Sequence, residues 1–186
     1  MSEKVTATKK EPGMAMLIIV LTVISIVMAL CLGFVNNATA PAIALNAQKS
    51  KEAAMQVVLP HEGTYDLVEY TGTDTAVAGV YQAGDEGYVV ETVPTSGFSG
   101  AIVMLTGISA DGAVTGIAVI THAETSGLGS KAKTDSDWQA QFVGTTEPVS
   151  VTKDGGTIES ITGSTITSRA ICDGVNSARA ALAEIG

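Results

Sequence analysis

The residues best suited to chemistry fall in two short polar segments. The first is Glu159-Ser160-Ile161-Thr162-Gly163-Ser164-Thr165-Ile166-Thr167-Ser168-Arg169, which crowds hydroxyl side chains and a glycine where an apolar helical spacing begins. A helix N-terminus leaves amide groups without intrahelical partners and carries the positive end of the helix dipole. An anion placed there is held by backbone donors, and phosphate is the obvious candidate. Gly163 lacks a Cβ and lets the backbone approach a ligand, while Arg169, one turn into the helix, carries a charge suited to a phosphate oxygen. The same residues also suit plain capping, with Thr162, Ser164 or Thr165 accepting from the first-turn amides. Residue types alone leave both readings open.

The second segment is His122-Ala123-Glu124-Thr125-Ser126-Gly127-Leu128-Gly129-Ser130-Lys131. Gly127 and Gly129 allow a tight turn, and Leu128 offers an apolar contact for a large planar ring. Glu124, Thr125 and the backbone amides suit the polar edge of such a ring. A solvated surface turn has the same composition. His122 with Glu124 two residues later suggests a metal, but no further His or Cys cluster completes a ligand set, and no metal is expected. Trp138, Tyr88 and Phe98 are aromatic candidates for shielding a ring; packing explains each of them, so they are left outside the site.

These segments need a scaffold, and the rest of the chain supplies one. From Tyr65 to Ile120 short β-rich runs alternate with glycine: Gly79-Val80-Tyr81, Gly87 to Val93, Ala101 to Leu105 and Val114 to Ile120. Asp111-Gly112 between the last two is a hairpin signal. Trp138 to Val143 suggests a short helix or turn. Ile166 to Ile185 is helical by spacing, with Ile166, Ala170, Val175, Ala178 and Leu182 on one face. The expected class is α+β: a small antiparallel sheet flanked by helices.

Ahead of this domain, Met14 to Val35 carries no charged residue and is long enough to cross a bilayer. Ala38-Thr39-Ala40 resembles a signal-peptidase site, but the apolar run exceeds the roughly 7–15 residues of a signal sequence and Pro41 follows directly, so a retained transmembrane helix is expected. Lys4, Lys9 and Lys10 precede the span and no basic residue follows it until Lys49, which puts the N-terminus in the cytoplasm and the remainder outside. An Ala-rich helix running from Pro41 toward Pro60 reads as a stalk. The expected organisation is a cytoplasmic tail (1–13), a transmembrane helix (14–35), a stalk helix (36–60) and an extracytoplasmic domain (61–186).

The chain has 186 residues and a net charge of −9, with no basic stripe. Nucleic-acid binding is therefore disfavoured. Cys31 lies in the apolar segment and Cys172 in the last predicted helix, so they form no disulfide framework.

Thr162-Gly163-Ser164-Thr165-Ile166-Thr167-Ser168 resembles the Ser/Thr-Gly-Ala-Thr-x-Thr-Ser flavinylation signature of the Rnf complex's G subunit and of the related C subunit of the sodium-pumping NADH:quinone reductase. Ser164 replaces the usual Ala, and Glu159 stands where that pattern has Asp. The His122–Gly129 stretch is similar to the family's His-x-Glu-Thr-Pro-Gly-Leu-Gly loop, with Ser126 for Pro. The resemblance covers nearly the whole chain. It implies FMN bound covalently through a phosphoester to Thr165, installed by a flavin transferase that uses FAD. The implied cofactor-binding residues are Thr162, Gly163, Ser164, Thr165, Thr167 and Arg169 with Glu124, Thr125, Gly127, Leu128 and Gly129. It further implies an electron-transfer component of a ferredoxin:NAD oxidoreductase coupled to Na⁺ or H⁺ movement. Its partners would be the other Rnf membrane subunits, especially the flavin-carrying D subunit and those bearing iron–sulfur centres. Flavin carries the redox chemistry, and the protein attaches, orients and tunes it. Two alternatives remain: the quinone reductase's C subunit, favoured less by the short chain, and a non-redox binding module on a membrane tether.

Overall fold

The computed structural model describes residues 13–185. The expected cytoplasmic tail, with Lys4, Lys9 and Lys10, lies outside them except for Gly13. The chain forms two compact units that divide between Ala47 and Gln48.

A single helix, α1 (Met14–Val58), contains both the predicted span and the predicted stalk, with Pro41 inside it. Among the described residues it is the one helix long and apolar enough to cross a membrane, with a mean hydropathy of 3.0 over its most apolar stretch. The few polar side chains of the span are satisfied within the helix: the Thr22 and Ser25 hydroxyls donate to the carbonyls of Ile18 and Leu21, each at 2.9 Å. A hydroxyl bonded to its own helix can face hydrocarbon without an orphaned donor.

The second unit is built on a five-stranded antiparallel sheet in sequence order: β1 (Asp66–Val68), β2 (Val77–Ala83), β3 (Gly87–Thr92), β4 (Val103–Ser109) and β5 (Val114–Thr121). Short helices α2 (Lys131–Thr134) and α3 (Ser136–Gln139) follow, then α4 (Thr165–Ile185). The α+β class is as expected. The Asp111-Gly112 hairpin forms with Gly112 at φ +84°, its N–H donating to the Ser109 carbonyl at 2.9 Å. β1 and α2 carry too few apolar residues to announce themselves, and β4 starts two residues later than its apolar run because the Ile102 amide bonds to Pro94 instead.

Both faces of the sheet are covered, which explains why β3 reads as an apolar run rather than an alternation. On one face Val80, Val90, Met104, Ile108 and Val119 pack with Ala170, Ile171, Val175 and Ala178 of α4. On the other, Ala83, Val89 and Leu105 pack with Met55, Val58 and Leu59 at the end of α1. Gly107 of β4 pairs with Gly116 of β5, and a Cβ at either would press on the backbone of Val58. Small residues thus let the helix end rest on the sheet, where the Thr115 hydroxyl caps the Val58 carbonyl and the Tyr65 hydroxyl caps that of Leu59.

Candidate functional site

The N-terminus of α4 is set by a tight turn. The Ser164 amide donates to the Ile161 carbonyl at 2.9 Å, and Gly163 at φ +78° supplies the left-handed residue such a turn needs. The Ser168 hydroxyl, fully buried, locks turn to helix: it accepts from the Ile161 amide and donates to the Ser164 carbonyl, both at 3.0 Å. Thr165 is thereby fixed as the first helical residue, half-buried, and its Oγ accepts from Lys153 Nζ at 3.0 Å.

Thr165 opens on a cleft of about 480 Å³. One wall is Gly163 to Thr167; the opposite wall is Glu124, Thr125, Leu128 and Gly129; Phe98 and Lys153 complete the rim. The two polar segments, well apart along the chain, therefore face one another across a single cleft. A larger hollow of about 800 Å³ lies beside Lys51, Met55, Tyr65 and Tyr81, but none of the candidate residues lines it.

The walls are joined by Glu124, which is 8% exposed. One carboxylate oxygen accepts from the Ser99 amide at 3.1 Å and the other from the Thr167 hydroxyl at 2.7 Å. Gly129 makes room for this bond, since a Cβ there would stand 2.6 Å from Glu124 Oε2 and 2.9 Å from Thr167 Oγ. His122 serves the same loop, its Nδ1 accepting from the Glu124 amide at 3.1 Å. Among the described residues no group of three or more His, Cys, Asp or Glu side chains is arranged to hold a metal ion.

Of the predicted site residues, Glu124, Thr125, Leu128, Gly129, Gly163, Ser164, Thr165 and Thr167 line the cleft. Thr162 is exposed on the outer side of the turn, and Gly127, at φ +76°, closes its own loop through an N–H bond to Ser130 Oγ. Arg169 does not line the cleft. Its guanidinium makes two 2.6 Å bonds to Asp154, whose carboxyl it holds below the usual carboxylate range.

Three residues that the sequence reading left outside the site also line the cleft. Phe98 is 68% exposed on the rim, Ile166 is 46% exposed rather than on the buried face of α4, and Lys153 arrives from a loop with no recognisable pattern. Phe98 is the one aromatic side chain of the three considered that reaches the cleft; Trp138 is buried against Phe142 and donates to the Glu159 carbonyl, and Tyr88 packs on the core.

The cleft fits FMN by its donor set and its lining. A hydroxyl beside an ammonium suits a phosphate, the Gly163 turn leaves the backbone open, and Phe98, Leu128 and Ile166 give an apolar border for a ring. The FMN-binding domain family matches residues 97–180, which contain every residue lining the cleft. The chain is 38% identical to the G subunit of the Na⁺-translocating ferredoxin:NAD⁺ oxidoreductase complex of Acetobacterium woodii, the alignment covering 85% of this chain and 86% of that one. It is 34% identical to the G subunit of the ion-translocating oxidoreductase complex of Methanosarcina acetivorans, over 87% and 90% of the two chains, and 33% identical to that of Cereibacter sphaeroides, over 82% and 77%. An apolar helix long enough to span a bilayer, a two-faced sheet and an FMN-binding domain occur here in a chain that aligns with these relatives over most of their length, and it belongs to the family of G subunits of ion-translocating oxidoreductase complexes.

Proposed function

We propose that this electron-transfer protein carries its FMN as a phosphoester on Thr165 and relays electrons between membrane-embedded neighbours. The observation that carries the reading is the placement of the Thr165 hydroxyl: fixed by the Gly163 turn, half-buried at the cleft, and next to a cation. A helix cap has no need of a cleft or of Lys153. Bound FMN supplies reversible uptake of one or two electrons. The chain's own part is attachment and orientation. Thr165 and the free amides at the start of α4 hold the phosphate end; Phe98, Leu128 and Ile166 border the ring; Thr125 and the loop backbone face its polar edge.

The name of the Acetobacterium woodii relative gives a ferredoxin:NAD⁺ oxidoreductase, the others an ion-translocating oxidoreductase, and we assign this chain to an assembly of the first kind. Its partners are then the flavin-carrying D subunit and the iron–sulfur membrane subunits, and a flavin transferase matures it. Na⁺ or H⁺ coupling belongs to the assembly, because the span of α1 from Met14 to Val35 carries no Asp, Glu, Lys or Arg. The positive-inside rule, applied to Lys4, Lys9 and Lys10, puts the cleft outside the cytoplasm.

Denaturing electrophoresis of the full chain co-expressed with a flavin transferase tests the attachment. In-gel flavin fluorescence is expected in the wild type and absent in Thr165→Ala. A dark wild type beside a fluorescent control substrate would sink the covalent reading.

A further inference from the structure

We infer that Lys153 is the positioning cation for attachment at Thr165, holding the phosphate that the hydroxyl takes up; this rests on the reading of Thr165 as the attachment residue. The contact is specific in its geometry. Lys153 Nζ donates to Thr165 Oγ at 3.0 Å, although the two residues are twelve apart and belong to different elements.

The loop that presents Lys153 is held rigidly at both ends. The Thr152 amide donates to Ile158 O at 2.8 Å and the Ile158 amide to Ser150 O at 3.1 Å, joining the two arms. Within the loop the Asp154 amide donates to Val151 O at 2.8 Å, and Gly155 turns the chain at φ +86°. The Asp154–Arg169 pair then ties the loop to α4 one turn beyond Thr165. The guanidinium therefore reaches the site indirectly: it anchors the loop whose neighbouring residue, Lys153, delivers the charge. Arg169 itself is committed to Asp154, and Lys153 is the cation that lines the cleft.

An ammonium at this place does two things. During attachment, Thr165 Oγ bonds to the flavin-side phosphorus of FAD as the pyrophosphate P–O bond breaks. AMP leaves with the bridging oxygen, the hydroxyl proton passes to the solvent or the leaving phosphate, and nothing is oxidised or reduced. Lys153 stabilises the negative charge that develops on Oγ and on the phosphoryl oxygens. Afterwards it offsets the phosphodiester charge in a chain whose net charge is already −9. Since Lys153 is solvent-exposed, its effect is smaller than that of a buried oxyanion donor, on the order of tenfold in rate rather than 10²–10³.

The test is the initial rate of in-gel flavin fluorescence when the purified, flavin-free full chain is mixed with limiting flavin transferase, FAD and Mg²⁺. Lys153→Met is expected to label about tenfold more slowly, Lys153→Arg close to wild type, and Thr165→Ala not at all, with thermal midpoints of the Lys153 variants unchanged. Labelling of Lys153→Met at the wild-type rate, or Lys153→Arg as slow as Lys153→Met, overturns the role assigned to the charge. An unlabelled wild type overturns the attachment reading itself, a different result from either.

Discussion

Thr167 donates its hydroxyl proton to Glu124 at 2.7 Å, and both residues are shielded from water, at 1% and 8% exposure. The bond crosses the cleft wall to wall, from the first turn of α4 to the loop after β5. Glu124 also accepts from the Ser99 amide, so a single carboxylate gathers three chain segments.

Removing that carboxylate should loosen all three. Glu124→Ala is expected to destabilise the domain by about 2–6 kcal/mol, because the Thr167 hydroxyl and the Ser99 amide both lose their acceptor at roughly 1–3 kcal/mol each. Glu124→Gln should lose only about 1 kcal/mol, since its carbonyl can serve Ser99 while its amide donates to Thr167. Urea unfolding followed by Trp138, the chain's sole tryptophan, measures both. Equal losses in the two variants would show that the carboxamide cannot replace the bonds.

Gly163 and Gly127 allow a controlled comparison. Both have positive φ, +78° and +76°, but a Cβ at Gly163 would meet Leu128 Cδ2 at 3.2 Å, whereas one at Gly127 meets nothing within 4 Å. Alanine at either site should lose about 1–2 kcal/mol from the left-handed backbone. Only Gly163→Ala should also slow flavin labelling, because it alone intrudes between the cleft walls. Labelling slowed equally in both variants would locate the effect in stability, not in the cleft.

Cys172 should be chemically silent in the folded domain. Burial pushes its thiol up to about 12, with Asp173 and Asp154 adding repulsion. At pH 8 that leaves about one thiolate in 10⁴, against roughly a tenth for a thiol at its ordinary value of 9.0, so alkylation should be about a thousandfold slower than in urea. The sign with pH follows: the folded state resists ionisation of this thiol, so its contribution to stability is present below about pH 9 and lost as pH rises toward 12. Mass spectrometry after iodoacetamide treatment of native and unfolded protein reads the ratio. Rapid native labelling at Cys172 would contradict the burial.

The scaffold is more legible in the sequence than the site's outline. Strand runs, the Asp111-Gly112 turn and the spacing of Ala170, Val175 and Ala178 report local preferences and one buried face, which periodicity captures. The polar segments are also visible, because glycine and hydroxyl residues are concentrated in them. Spacing sets Ile166 on the core face, yet it stands exposed in the cleft wall while Thr167 and Ser168 beside it are buried, so periodicity alone mistakes a cleft-lining residue for a core one. Arg169 points toward Thr165 by spacing alone; a partner fifteen residues upstream, Asp154, claims it instead. Lys153 has no local signature at all, since only tertiary closure of its loop brings it to Thr165. Phe98 looks like packing because an exposed aromatic becomes informative only when the surface beneath it is known to be concave.

The last turns of α1 are as much a layer of the sheet as α4 is, with Met55 and Val58 buried against Val89 and Leu105 and the Val58 carbonyl received by Thr115. That makes the FMN domain poor material for modular exchange. A recombination joint at a surface loop such as Glu62-Gly63 would leave one face of the sheet bare, so a lineage that trades the membrane anchor for another must carry the helix's final turns across with the domain.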